Sequence, residues 1–422
     1  MNFENTLAFA TQLDDTDHLK SFRAQFLIPQ KDGKDITYLC GNSLGLQPKN
    51  ATLEINKQLD VWQNHAVEGW FNGDENWLNY HDKIKDLLAP IVGAKWEEVT
   101  CMNSLTVNLH LLLTSFYIPK GKRVKILMEG GAFPSDQYAL ESHVKTRGLN
   151  GKEVIVEVFP RTGEDTLRTE DIIKQIEDCG DELALILFGG VNYYSGQFFN
   201  LEAITKAGHN VGAMVGFDLA HAAGNVPMQL HQWDVDFACW CSYKYLNSGP
   251  GGISGIFVHE KHFNKDYNRL AGWWGYQLQK RFKMEKGFVP EYGAEGWQVS
   301  TSPILLMATH KAALTVFNEA GFERLRAKSI LLTQYLEFII TQFNQRKGAE
   351  FFKIITPQQP EDRGAQLSII CKANGRQIFD ALVKENIIGD WREPNVIRIS
   401  PIPLYNTFTE IYHLGQVLIN SH

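Results

Sequence analysis

Cysteine is scarce and unpatterned in this chain: six residues in 422 (Cys40, Cys101, Cys179, Cys239, Cys241 and Cys371), none in a C-x-x-C spacing. That excludes a disulfide framework and offers no zinc spacing, so no metal site is expected. Cys239-Trp240-Cys241 alternates inside an apolar run, which makes both thiols core rather than ligands. Basic clusters are missing too. Lys and Arg number 41 against 48 Asp and Glu, a formal net charge of −7, which argues against nucleic acid or an anionic membrane as main partner. No stretch approaches the roughly 18 apolar residues of a membrane span. The opening segment lacks both a basic start and a long apolar core. The expectation is a cytoplasmic, reducing setting. There is no internal repeat and no low-complexity tract. What remains is an ordinary globular composition, 44% hydrophobic and 21% charged, at a length that suggests two or three domains.

The most informative stretch is Gly216–Gly252, GFDLAHAAGNVPMQLHQWDVDFACWCSYKYLNSGPGG. One apolar run ends in Asp218, three residues before His221. A second, Val235–Cys241, leads into Ser242-Tyr243-Lys244 and a Gly/Pro turn at Gly249–Gly252. A lysine that works as a neutral amine must be partly desolvated and firmly placed. A cofactor that draws electrons through a ring nitrogen needs a carboxylate to keep that nitrogen protonated. Lys244 and Asp218 meet both needs and point to pyridoxal 5′-phosphate (PLP), although strand–turn–lysine alone is common in α/β proteins.

The runs Val154–Phe159, Leu183–Phe188 and Met214–Asp218 read as buried strands between helices over Glu170–Asp178 and Leu201–His209. This alternation predicts an α/β fold with a mostly parallel central sheet sandwiched by helices and a site at the strands' carboxyl ends. Gly189, Asp218, His221, Tyr243 and Lys244 fall at such ends. Upstream, Gly41–Gly45 is a turn and Asn50–His65 a helix. Ser104 reads as the N-cap of a helix through Leu113, whose first N–H groups suit an anion. Val124–Met128 reads as another strand. The spacing of Phe322, Leu325, Leu332, Leu336, Ile339 and Phe343 predicts a long helix, with strands at Leu367–Cys371 and Val396–Ile399. The expected division is an N-terminal arm over 1–45, a large α/β domain over 46–306 and a smaller C-terminal α+β domain over 307–422, joined by the arm.

The chain also resembles the kynureninases, of the class V aminotransferase group of fold type I PLP enzymes. The likeness rests on GNSLGLQPK at 41–49, LTVNLHLLL at 105–113, AFPSDQYA at 132–139, DLAHAAGN at 218–225 and VDFACWCSYKYLN at 235–247. It continues through the GPGG turn, RFKMEKG at 281–287, STSPILL at 300–306, RGAQLSI at 363–369 and IRISPIPLYN at 397–406. The resemblance implies hydrolysis of L-kynurenine to anthranilate and L-alanine. It implies that Lys244 carries PLP and moves the α-proton, that Asp218 pairs with the ring nitrogen, and that Tyr243 transfers protons beside the phosphate. Leu105 and Thr106 would hold the phosphate. Phe133 would stack on the ring, with Pro134, Ser135, Asp136 and His221 around it. Ser43, Trp70, Thr301 and Arg398 would meet the substrate, Arg398 gripping its α-carboxylate with two parallel hydrogen bonds. Trp273 and Thr301 would reach the phosphate in a neighbouring chain, which implies a C2 homodimer with shared sites.

Three positions depart from the pattern. Trp70 and Thr301 stand where vertebrate members carry His and Asn, which favours kynurenine over 3-hydroxykynurenine. Gly189 stands where a serine near the cofactor is expected. Two rival readings remain: a cysteine desulfurase or selenocysteine lyase, for which Cys371 is the one late thiol, and a PLP-binding regulator without turnover.

Overall fold

The computed structural model describes residues 2–421. Its centre is a seven-stranded sheet of β1 (Val99–Cys101), β2 (Lys125–Glu129), β3 (Ile155–Val158), β4 (Leu183–Gly189), β5 (Met214–Asp218), β6 (Phe237–Trp240) and β7 (Gly255–Val258). In space the order is β1-β7-β6-β5-β4-β2-β3, and only β7 runs against the others. Every residue of β4, β6 and β7 is buried, as strands covered on both faces must be. The helices Tyr80–Val92, Thr169–Cys179 and Leu201–Asn210 cover one face through Ile84, Leu88, Ile172, Ile176 and Ile204. On the other lie α1 (Leu105–Phe116) and α2 (Pro134–Thr146), with Leu109, Leu112, Phe116 and Leu140 in the core. Each such side chain contributes about 1.5–3 kcal/mol.

The run Met214–Asp218 is β5 as predicted, Leu183–Phe188 gains Gly189 in β4, and Val235–Cys241 is trimmed at both ends to β6. β2 is shifted by one residue relative to Val124–Met128, so that Glu129 belongs to the strand. β1 and β7 escape the sequence reading because three and four residues carry no readable period. Pairing recruits them: Ile256 lies opposite both Thr100 and Cys239.

After α3 (Ile304–Ala320), which packs on Asn50–His65 and Tyr80–Val92, the chain enters α4 (Phe322–Lys347). An antiparallel sheet of β8 (Phe352–Ile354), β9 (Leu367–Cys371), β10 (Asp390–Arg392) and β11 (Val396–Ile399) follows, in the order β8-β9-β11-β10. Together with α5 (Phe408–Asn420) and α4 it closes a separate core around Leu332, Leu336, Ile339 and Ile399. The start of the chain belongs with this part. Helix Leu7–Asp15 packs on α5, Thr37–Tyr38 pairs in parallel with Ile387–Ile388, and a buried ion pair joins Asp17 to Lys328 at 2.7 Å. Among the described residues no helix is long and apolar enough to cross a membrane.

Candidate active site

A cavity of about 300 Å³ opens where the carboxyl ends of β2, β4, β5 and β6 face the antiparallel sheet. Lys244 enters it from the turn after β6. The Gly45 N–H donates to the Tyr243 carbonyl at 2.8 Å. A Cβ on Gly45 would lie 2.4 Å from the Lys244 carbonyl, so only glycine lets this segment brace the lysine. Gly45 thus serves close approach and has no positive φ. Lys244 Nζ lies 2.9 Å from His221 Nε2. Burial, then the positive charge of Lys244, Arg398 and Arg392, holds His221 well below its ordinary pKa. A neutral ring accepting at Nε2 carries its proton on Nδ1, and that buried atom has no hydrogen-bond partner among the described residues.

Three buried carboxyls face the same space. Asp218 ends β5, and its Oδ1 accepts from the Ala220 N–H at 2.7 Å. Burial raises it, against that N–H and the Lys244 charge. Asp136, in the first turn of α2, is pushed well above the carboxylate range by burial and by Asp218. Glu129, at the end of β2, is pushed up to about 7 by burial, against hydrogen bonds from Asn192 and the Gly189 N–H. Acids held this close call for a cation. A pyridinium nitrogen fits beside Asp218, and an acceptor group on the ring fits the free His221 donor.

At the other end of the cavity Ser104, Leu105 and Thr106 open α1. Ser104 occupies the N-cap position with its side chain unbonded to the helix, so the expected hydroxyl cap is absent and the first N–H groups stay available. Thr106 Oγ1 lies 2.7 Å from Ser135 Oγ. A phosphate fits there. Phe133, 44% exposed, presents its ring to the cavity, with Lys244 Nζ 6.0 Å from the centroid.

Arg398 projects from β11, 2% exposed. Asp390 takes its Nε and Nη2, and the Tyr193 carbonyl takes Nη1. Donors remain on both terminal nitrogens for a carboxylate. Gln366 Nε2 donates to the Tyr193 carbonyl at 3.0 Å, and Gln366 Oε1 accepts from Asn42 Nδ2 at 2.9 Å. Ser43 lines the same wall.

Of the residues singled out in the sequence, thirteen line this cavity: Ser43, Ser104, Leu105, Thr106, Phe133, Ser135, Asp136, Gly189, Asp218, His221, Tyr243, Lys244 and Arg398. Pro134, Trp70, Trp273 and Thr301 do not. Trp70 and Trp273 both pack edge-on against Trp274, at 5.5 and 5.9 Å between centroids, with Phe282 against Trp273. Glu129, Asn42, Tyr193 and Arg392 also line the site without having been singled out; their only sequence signal was a strand end or a neighbouring motif. Elsewhere, Glu98, His231 and His259 lie close enough to suggest a metal. Glu98 Oε1 already accepts from His231 Nδ1 and the Glu260 N–H, and His259 Nδ1 from the Lys261 N–H, so those lone pairs are in use.

Fold and cavity together define a class, the PLP enzymes of fold type I. Solved structures share the fold. The cystine C–S lyase C-DES, in a K223A mutant with glycine covalently linked to its PLP cofactor, superposes with a TM-score of 0.76 at 17% identity, covering 91% of this chain and 96% of that one. The apo cysteine desulfurase of Thermococcus onnurineus NA1 gives 0.74 at 16%, covering 91% and 94%. Sequence comparison is more specific. The kynureninase C-terminal domain model matches residues 325–418. The kynureninase of Flavobacterium psychrophilum is 53% identical over 421 residues, covering 99% of this chain and 98% of its own. That of Myxococcus xanthus is 49% identical over 418 residues, covering 99% and 97%. The chain belongs to the kynureninase family.

Proposed function

We propose that this protein hydrolyses L-kynurenine to anthranilate and L-alanine at the cavity around Lys244. The observation that carries the reading is the facing of Lys244, Asp218 and Arg398 across one cavity in a chain of this family. The reaction breaks the Cβ–Cγ bond: water supplies hydroxide to the aryl carbonyl carbon and a proton to the carbon that becomes the alanine methyl. Bound PLP supplies an aldehyde for the amine and an electron-poor ring that draws electrons from the substrate. Lys244 would hold the cofactor through its amine and, once freed, would carry the α-proton. Asp218 keeps the ring nitrogen protonated. The first N–H groups of α1, with Thr106 and Ser135, hold the phosphate. Arg398 fixes the α-carboxylate, so that the bond to be broken lies along one direction. Tyr243, whose phenol is kept protonated by burial, donates and recovers a proton at the cleaved carbon.

Trp70, Trp273 and Thr301 serve the site of a second subunit in this reading. An exposed apolar surface beside them supports it: Phe71, Trp273, Phe282, Met284 and Tyr292 are between 45% and 69% exposed. The desulfurase reading lacks its nucleophile. Cys371 is 1% exposed in β9, burial pushes its thiol up to about 12, and no described cysteine lines the cavity. Six buried, unpaired thiols accord with a reducing cytoplasm.

The test is purified protein with PLP, supplied with kynurenine and, separately, with 3-hydroxykynurenine. Anthranilate fluorescence should appear, with the larger kcat/KM for kynurenine, and Lys244→Ala should abolish turnover. Absence of anthranilate from the PLP-loaded protein refutes the reading.

A further inference from the structure

Glu129 is a buried acid of the cavity for which the reaction above has no use. It ends β2, 3% exposed, two strands from Asp218. The strand between them, β4, ends in Gly189, which lies in register with Asp218. A Cβ at position 189 would sit 2.8 Å from Glu129 Oε1 and 3.7 Å from its Cδ. The carboxyl of Glu129 therefore occupies the space that any side chain at 189 would claim. Its Oε2 accepts from Asn192 Nδ2 at 3.2 Å, and the Gly189 N–H donates to the same carboxyl.

We infer that Glu129 is a positioning residue for the cofactor's ring end, a switchable second charge that acts on the ring nitrogen through Asp218 across the gap left by Gly189. The inference rests on the reading of the cavity as a PLP site. The groups that face Glu129 are Asp218 on β5 and Asp136 on α2, with Lys244 opposite those two; Asn192 is its neutral donor. Burial first, and then the charge of Asp218, favours a proton on Glu129. A cation arriving at Asp218 reverses that preference, because a nearby positive charge stabilises the ionised form. Binding of the protonated cofactor ring and release of the Glu129 proton are thus linked. Linkage fixes the sign: PLP affinity gains on the alkaline side of neutrality, by about tenfold for each unit by which the bound ring lowers the Glu129 carboxyl.

The experiment measures PLP dissociation from the holoprotein against pH, together with the visible absorbance of the bound cofactor, in wild type, Glu129→Gln and Gly189→Ala. Glutamine keeps the shape and cannot ionise. Alanine displaces the flexible end of Glu129 while leaving it in place to titrate. The expected result is equal PLP affinity for wild type and Glu129→Gln below neutral pH, and several-fold weaker binding by the variant above it. Ionisation of Glu129 beside the ring should show as a pH-dependent change in that absorbance, which should disappear in Glu129→Gln and move in Gly189→Ala. Parallel affinity and absorbance profiles for all three proteins overturn the inference while leaving the PLP site intact. Failure of wild type to take up PLP overturns the site reading itself.

Discussion

At the scale of the residue, charge and hydrogen-bond geometry decide what each group can do. Arg398 is wired by Asp390 and the Tyr193 carbonyl into one orientation. Arg398→Lys keeps the charge and loses the fork. With charge-assisted hydrogen bonds at about 1.5–3 kcal/mol, kcat/KM for kynurenine should fall about 10- to 100-fold, chiefly through KM. Steady-state kinetics check this, and an unchanged KM contradicts the clamp. The sequence made Lys244, Asp218 and Arg398 readable because each closes an apolar strand or lies in a dense motif. Glu129 was not readable. Its neighbours Gly189 and Asn192 are some sixty positions away in the chain, and the shift of its carboxyl is a product of burial that no local pattern carries.

At the scale of the element, Lys85 and His81 tie helix Tyr80–Val92 to the turn Ala294–Trp297 through Glu295. Burial raises the Glu295 carboxyl, and His81 at 3.1 Å with Lys85 more than reverses it, to about 2. A folded-state value below the unfolded one stabilises the protein above the ordinary glutamate range, and that stability is lost as pH falls through the folded value. The stability gap between wild type and Glu295→Gln, read from urea midpoints, should therefore be full above pH 4.5 and close toward about 2. A gap independent of pH contradicts the assignment. Helices and strands with long periods were legible, from Asn50–His65 to α4. The edge of the sheet was not, since β1 and β7 are strands only because each finds a partner.

At the scale of the whole molecule, the proposed dimer makes each site depend on two chains. Mixing Lys244→Ala with Trp273→Ala protein, each poorly active alone, should restore activity through hybrids in which one site carries both changes and the other neither. Random exchange of subunits gives about a quarter of the wild-type specific activity. No recovery after demonstrated exchange argues against shared sites. The order of apolar runs predicted, from the sequence alone, a mostly parallel α/β sheet, and the acid and lysine beside two of them, taken with the family's motifs, pointed to PLP at its carboxyl edge. Only the tertiary structure decided which side chains share that edge. It gathered Glu129, Asn42, Tyr193 and Arg392 around Lys244 and left Trp70, Trp273 and Thr301 outside. The physical reason is that strand formation follows from local apolar pattern, whereas a site's charge and shape depend on distances between residues far apart in the chain.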